Sequence, residues 1–171
     1  LVAAAPSASL GLGDVYAFLR TGSVWAFETK FAPPPSNPYG SFGFSSDVEG
    51  DLIAVGMPNG DGTGCVYVYR LVGGAWIEEA LLHATYGQAQ AQFGSGVQVQ
   101  GDRLVVGSRG EFVWDQFSGS GYLFERVAGT WKEQTKLVPS WGMASGYLGI
   151  PVAIDGNRAA IGGADPVNSV F

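Results

Sequence analysis

The sequence predicts an all-β chain of tandem four-stranded antiparallel units. Three observations carry this reading. The stretch "FGFSSDVEGDLIAVGM" (Phe42 to Met57) recurs 51 residues later as "FGSGVQVQGDRLVVGS" (Phe93 to Ser108), and 55 residues after that as "LGIPVAIDGNRAAIGG" (Leu148 to Gly163). A fixed period of this size marks a repeat architecture, in which each unit buries its apolar face on its neighbour. The 171 residues include 27 Gly and 9 Pro but only 14% charged side chains, as expected for many short strands joined by tight turns. Apolar residues also alternate or run in short bursts between those turns, as in "CVYVYRL" from Cys65.

Each unit reads as four strands. The first is about "GVQVQ", the second "RLVVGS", the third "GYLFERV" and the fourth "TWKEQTKLV". Gly-Asp or Gly-Asn closes the first hairpin at Gly50-Asp51, Gly101-Asp102 and Gly156-Asn157, because Gly accepts positive φ. The second strand is apolar throughout ("LIAVG"), so both of its faces are expected to be covered. The third strands are taken to correspond from Asp14 ("DVYAFLR"), Cys65 ("CVYVYRL") and Gly121 ("GYLFERV"). "GGAW" and "AGTW" then turn the chain into the fourth strand, and Trp25, Trp76 and Trp131 recur there at spacings of 51 and 55. Their register predicts packing between neighbouring units. The fourth strands, "WIEEALL" and "WKEQTKL", are polar enough for an outer edge, where charge deters stray pairing.

Units of about 50 residues with "FG" at the start and a "VG-x-P" turn after the second strand resemble FG-GAP repeats. "AVGMP" (Ala54 to Pro58) is the nearest match and "VAAAP" (Val2 to Pro6) a looser one; Leu148 replaces Phe, and Arg109 stands where Pro would be. The resemblance implies β-propeller-type blades of the kind found in integrin α subunits and in many extracellular proteins. It also implies a calcium loop between second and third strands. Calcium takes six to eight oxygens, and here that loop offers Asn59 and Asp61 in one unit, Glu111 and Asp115 in the next, Asp165 and Asn168 in the last, and Asp14 in the first. Asn59 and Asp61 are the candidate metal ligands, against a plain turn-forming role for both.

The expected organisation is a partial blade lacking its first strand, with its connector, over 1–41. Complete blades follow over 42–92 and 93–147, the latter with a loop insertion, and then a partial blade over 148–171. Leu1 aligns with Ile53 and Phe171 with Tyr67, so about three units stand incomplete at both ends. A propeller closes with about four to eight blades. Further blades of a longer chain, or other copies joined end to end by strand addition, are therefore the expected partners.

Composition excludes several roles. The net charge is −6 and no Lys/Arg cluster exists, so neither nucleic acid nor an anionic membrane surface is an expected partner. No apolar run reaches the length of a membrane span. Cys65 is the single cysteine and reads as a small buried hydrophobe, the alternative being a disulfide to another chain. His83 is the single histidine, so no Ser-His-Asp or multi-His centre fits. Glu78 and Glu79 are strand neighbours on opposite faces and cannot pair as acid and base. "LGLGD" (Leu10 to Asp14) lacks the Lys and helix of a phosphate loop. The inserted loop "EFVWDQFSGS" carries Phe112, Trp114 and Phe117, which either pack locally or meet a partner chain. Trp141, Tyr147, Tyr39 and Tyr86 lie in connections between units, where sugars could stack. "FAPPPSNPYG" reads as a stiff polyproline connector or as a modified one, with Pro33, Pro34, Pro35 and Ser36 as the positions for O-linked sugar. No Asn begins an N-glycosylation acceptor. The expectation is a non-enzymatic, extracellular, structural or adhesive module without a required cofactor. The alternatives are a segment of a closed ligand-binding or catalytic propeller, and a calcium-dependent adhesion module.

Overall fold

The computed structural model describes residues 1–5, 13–37, 40–113, 116–138 and 147–163. Trp114, Asp115, Tyr39, Trp141, Asp165, Asn168 and Phe171 lie outside them, as do Pro6 and most of "LGLGD". The architecture is all-β. The first sheet runs β1 (Val2–Ala5), β2 (Asp14–Thr21), β3 (Val24–Phe31), each antiparallel to the next. The second runs β4 (Ser45–Glu49), β5 (Leu52–Met57), β6 (Cys65–Val72), β7 (Ala75–Leu82). In the third, β8 (Phe93–Gln100) and β9 (Arg103–Ser108) are followed by a small hairpin of β10 (Phe112–Val113) and β11 (Gln116–Phe117), then β12 (Ser120–Val127) and β13 (Thr130–Leu137). A last pair, β14 (Val152–Asp155) and β15 (Arg158–Ile161), opens a fourth unit.

The turns have the chemistry the sequence predicts. At Gly50, Gly101 and Gly156 only the first turn residue has positive φ (58°, 56° and 53°), the two-residue hairpin that demands Gly there. The outer hairpin at Ala128-Gly129 is positive at both residues, which suits the twist of the flanking strands. The third and fourth strands of each sheet share one irregularity, between Ala17/Phe18, Val68/Tyr69 and Leu123/Phe124. A bulge at the same place in three sheets is a designed bend of the outer strand.

The sheets pack face on face. One core joins the first and second sheets through Val15, Ala17, Phe31, Ile53, Val55 and Tyr67. The other joins the second and third through Ala54, Val66, Val68, Leu104, Val106 and Phe124. β5 is buried along its whole length, as the apolar run "LIAVG" requires. The fourth strands β3 and β13 are mostly exposed, and β7 is half exposed.

Two expectations are corrected. The first strand of the third sheet starts at Phe93, three residues before "GVQVQ". The third strands correspond as Asp14, Cys65 and Ser120, one residue before Gly121, since Val66 faces Leu82 just as Gly121 faces Leu137. The correspondence shifts there because the four inserted residues end at that strand, and a shift of one exchanges its two faces.

Candidate functional site

The recurring side chains meet where one sheet touches the next. Phe42 and Phe93 are fully buried plugs at the start of their units. The Phe93 N–H bonds to the Thr63 carbonyl of the preceding unit at 3.1 Å, and the Leu148 N–H to that of Ser118 at 2.9 Å. The following Gly94 and Gly149 have φ of 89° and 134°, which other residues resist. Their carbonyls press on Gly56 and Gly107, where an added Cβ would lie 2.0 and 1.9 Å from the oxygen. The "FG" of one unit and the "VG" of the unit before it therefore form one backbone contact, closed to any side chain.

Farther out, Glu79 of β7 ties the second sheet to the third. Arg126 donates to it at 2.6 Å through Nε and 3.3 Å through Nη2, and Trp131 Nε1 donates at 2.7 Å. Arg70 of its own sheet adds a further ion pair. Burial alone would raise the Glu79 pKa, but the donors from Arg70, Arg126 and Trp131 outweigh it and hold the carboxyl below its usual range. The preceding interface has the same parts in a different state. Trp76 packs edge-on against Phe31 at 6.0 Å, Leu71 replaces the Arg, and the Trp76 indole N–H is buried without a hydrogen-bond partner among the described residues. Glu28 stands at the position of Glu79 and lines the groove beside Trp76.

On the inner strands, side chains of one unit accept backbone N–H groups of the next. Asp47 accepts from Val99 at 2.8 Å, and Glu49 accepts from Gly101. One interface later, Gln98 accepts from Ile154 at 2.5 Å and Gln100 from Gly156 at 2.7 Å. The two pairs occupy the same positions, 51 residues apart.

A fourth element recurs in the first and third sheets. Tyr16 lies across from Lys30, and Tyr122 across from Lys136, with each ammonium 5.7 Å from its ring centre. In the first sheet Asp14 bonds Lys30 at 2.9 Å. In the third, Ser120 takes the Asp14 position and the carboxylate comes from the inserted loop instead. Glu111 is fully buried and accepts from Ser120, from Tyr122 at 2.7 Å and from Lys136 at 2.7 Å. Burial and that carboxylate push the Tyr122 phenol up. In the second sheet the same places hold Cys65 and Leu81, which need no partner. Glu111→Ala is expected to cost about 2–4 kcal/mol in urea unfolding, because it strands three donors, one of them a partly exposed Lys. Tyr122→Phe, which removes one hydroxyl, is expected to cost about 1 kcal/mol.

The side chains singled out in the sequence fall as follows. Asn59 donates to Ser41 Oγ at 3.0 Å, and Asp61 accepts from Asn37 at 3.2 Å and lies 4.0 Å from His83. These two bring at most three side-chain oxygens to a loop where calcium needs six to eight, and the described residues hold no cluster of three or more His, Cys, Asp or Glu placed to bind a metal ion. Phe112 and Phe117 pack on each other with centroids 3.8 Å apart and ring planes tilted by 44°, and stay 43% and 45% exposed. Gln88 fixes the Phe112 backbone by bonding both its N–H and its carbonyl at 3.0 Å. Pro33 and Pro34 are half-buried, whereas Pro35 and Ser36 are exposed on a turn closed by the Asn37 N–H to the Pro34 carbonyl. Cys65 is buried, and burial pushes its thiol up to about 12, so it stays protonated. Trp131 is 7% exposed between sheets and Trp76 half-buried, but Trp25 is 49% exposed, because none of the described residues covers its face of the first sheet. No helix among the described residues is long and apolar enough to cross a membrane.

Sequence reasoning missed the part that Glu79 and Glu111 play between and within sheets, and missed the acceptors Asp47, Glu49, Gln98 and Gln100 altogether. The signal for Glu79 was present: Glu28 and Glu79, like Trp25 and Trp76, stand 51 residues apart. Residues 76–124 match the family model of the FG-GAP repeat. The match begins at Trp76 on β7 and ends in β12, so it includes Glu79 and Phe93 and stops short of Arg126 and Trp131. No curated protein matches the chain significantly. Residues 76–124 are thus similar to an FG-GAP repeat, and the neighbouring sheets share the antiparallel strand order, with Gly56 and Gly107 each meeting the glycine, Gly94 or Gly149, of the next unit.

Proposed function

We propose that this chain is a non-enzymatic structural or adhesive module of an extracellular or cell-surface assembly, extended by stacking further blades on its end sheets. Those blades come from a longer chain or from other copies. The exposure of Trp25 carries this reading, since the same side chain is enclosed at position 131. Around it Leu1 and Phe27 are exposed as well, an apolar surface of the kind that neighbouring units bury. The inner strands support a structural role over a catalytic channel, because Asp47, Glu49, Gln98 and Gln100 are engaged in bonds between units.

Light scattering and electron microscopy of the purified chain test the proposal. Association through the end sheets, as oligomers or fibres, is the expected result. A lone monomer that melts cooperatively with Trp25 in water would overturn it. Stacking needs no metal in this reading, so excess chelator is expected to leave the melting temperature unchanged; a fall of several degrees would place calcium in the module. Pro35 and Ser36 are the exposed positions at which intact-mass and peptide analysis of native material is expected to find sugar.

A further inference from the structure

We infer that Arg20 and Trp25 form a receptor for a carboxylate on the fourth strand of an incoming blade, so that the open face of the first sheet selects an acidic partner strand. The inference rests on the stacking proposed above and adds the chemistry of recognition. Its basis is the occupied copy of the same site. Arg126 and Trp131 lie directly across from each other on β12 and β13, and both donate to Glu79 of the preceding sheet. Arg20 and Trp25 lie directly across from each other on β2 and β3 in the same register. The Arg20 guanidinium sits 5.9 Å from the Trp25 ring centre, and no carboxylate among the described residues pairs with it. Trp25 is exposed, so its indole N–H is open to a partner.

The occupant is a four-stranded blade of this repeat type bearing Glu at the position of Glu79. Two observations specify it. The open face continues an interface that already exists twice in the chain. The charges are complementary too, since Arg20 offers the cation that Arg126 offers to Glu79. Bidentate Arg-carboxylate geometry with an added indole donor discriminates against a neutral or basic residue at that position. The second sheet is the contrast: with Leu71 in place of the Arg, it makes no such demand on Glu28.

An in-register duplication tests this. A copy of residues 42–103 placed before Leu1 supplies a complete blade with its own Glu79, followed by a first strand for the first sheet. Leu1 then takes the place of Leu104, its equivalent in the third sheet. Hydroxyl-radical oxidation of Trp25, read by mass spectrometry, reports whether the blade seats. Thermal melts of the Arg20→Gln variant, of the Glu79→Gln variant in the added copy, and of the double variant report whether the carboxylate is held. Seating is expected to lower Trp25 oxidation several-fold. Each single variant should lower Tm by about 2–4 °C or more, and the double variant by no more than the Glu79→Gln variant alone, since Glu79 also serves Arg70 and the indole. In the chain without the added blade, Arg20→Gln should leave Tm within about 1 °C. Protection of Trp25 with additive or negligible variant effects would overturn the carboxylate receptor and leave stacking intact. Unchanged Trp25 oxidation would overturn both.

Discussion

Gly107→Ala is expected to cost about 3 kcal/mol or more, on the order of 6–12 °C in Tm. The added methyl would sit 1.9 Å from the Gly149 carbonyl oxygen and 2.6 Å from its carbon. Both are backbone atoms, and their segment is pinned by the Leu148 N–H to Ser118 bond, so neither can rotate away as a side chain could. The third sheet and the β14–β15 pair must separate, which opens the contact around Gly149. Gly56→Ala should act alike between the second and third sheets, where the obstacle is the Gly94 oxygen at 2.0 Å. Gly101→Ala is the control. Its φ of 56° is awkward for Ala, but nothing lies within 4 Å of the new Cβ, so a cost of about 1 kcal/mol is expected. Equal losses at Gly107 and Gly101 in denaturant unfolding would show that turn conformation, not contact between sheets, explains these glycines.

Glu79→Ala is expected to destabilise by about 2–4 kcal/mol and to remove an acid-sensitive part of the stability. The carboxylate serves Arg70, Arg126 and Trp131 together, two of them across the interface. Because its folded pKa is lowered, native Glu79 binds fewer protons than unfolded Glu79. Its contribution is complete above the ordinary Glu value of about 4.3 and is lost as pH falls through the lowered folded value. The wild-type chain should therefore lose stability more steeply than Glu79→Ala as pH falls below about 4. Amide exchange should place the first opening between β7 and β13. Parallel acid profiles for the two proteins would mean that Glu79 adds nothing across that interface.

The strand order was legible because periodicity, Gly turns and apolar runs are each local signals. β5 and β9 could be read as doubly covered strands from "LIAVG" and "RLVVG" alone. The position of Trp131 in the core followed from its register. The clasp residues were less visible because their role depends on what the next sheet brings. Glu79 beside Glu78 looks like an exposed outer-strand charge until Arg126 and Trp131 are placed across it. Glu111 in an aromatic loop looks like a loop carboxylate, and only folding reveals that it reaches the Tyr122–Lys136 pair from a new direction. The shift at Gly121 has the same origin: the inserted residues moved the carboxylate from strand to loop, and nothing local records where it went.

The inner-strand contacts bear on how such a chain can change over generations. Asp47, Glu49, Gln98 and Gln100 all reach for peptide N–H groups, which every residue but proline presents. The receiving strand can drift in its side chains without losing the tie, as the two receiving strands "GVQVQ" (96–100) and "PVAID" (151–155) differ from each other. A copied or transplanted unit is thus held by its neighbour from the moment it appears, and the array can lengthen or shuffle its members without first evolving a matching surface.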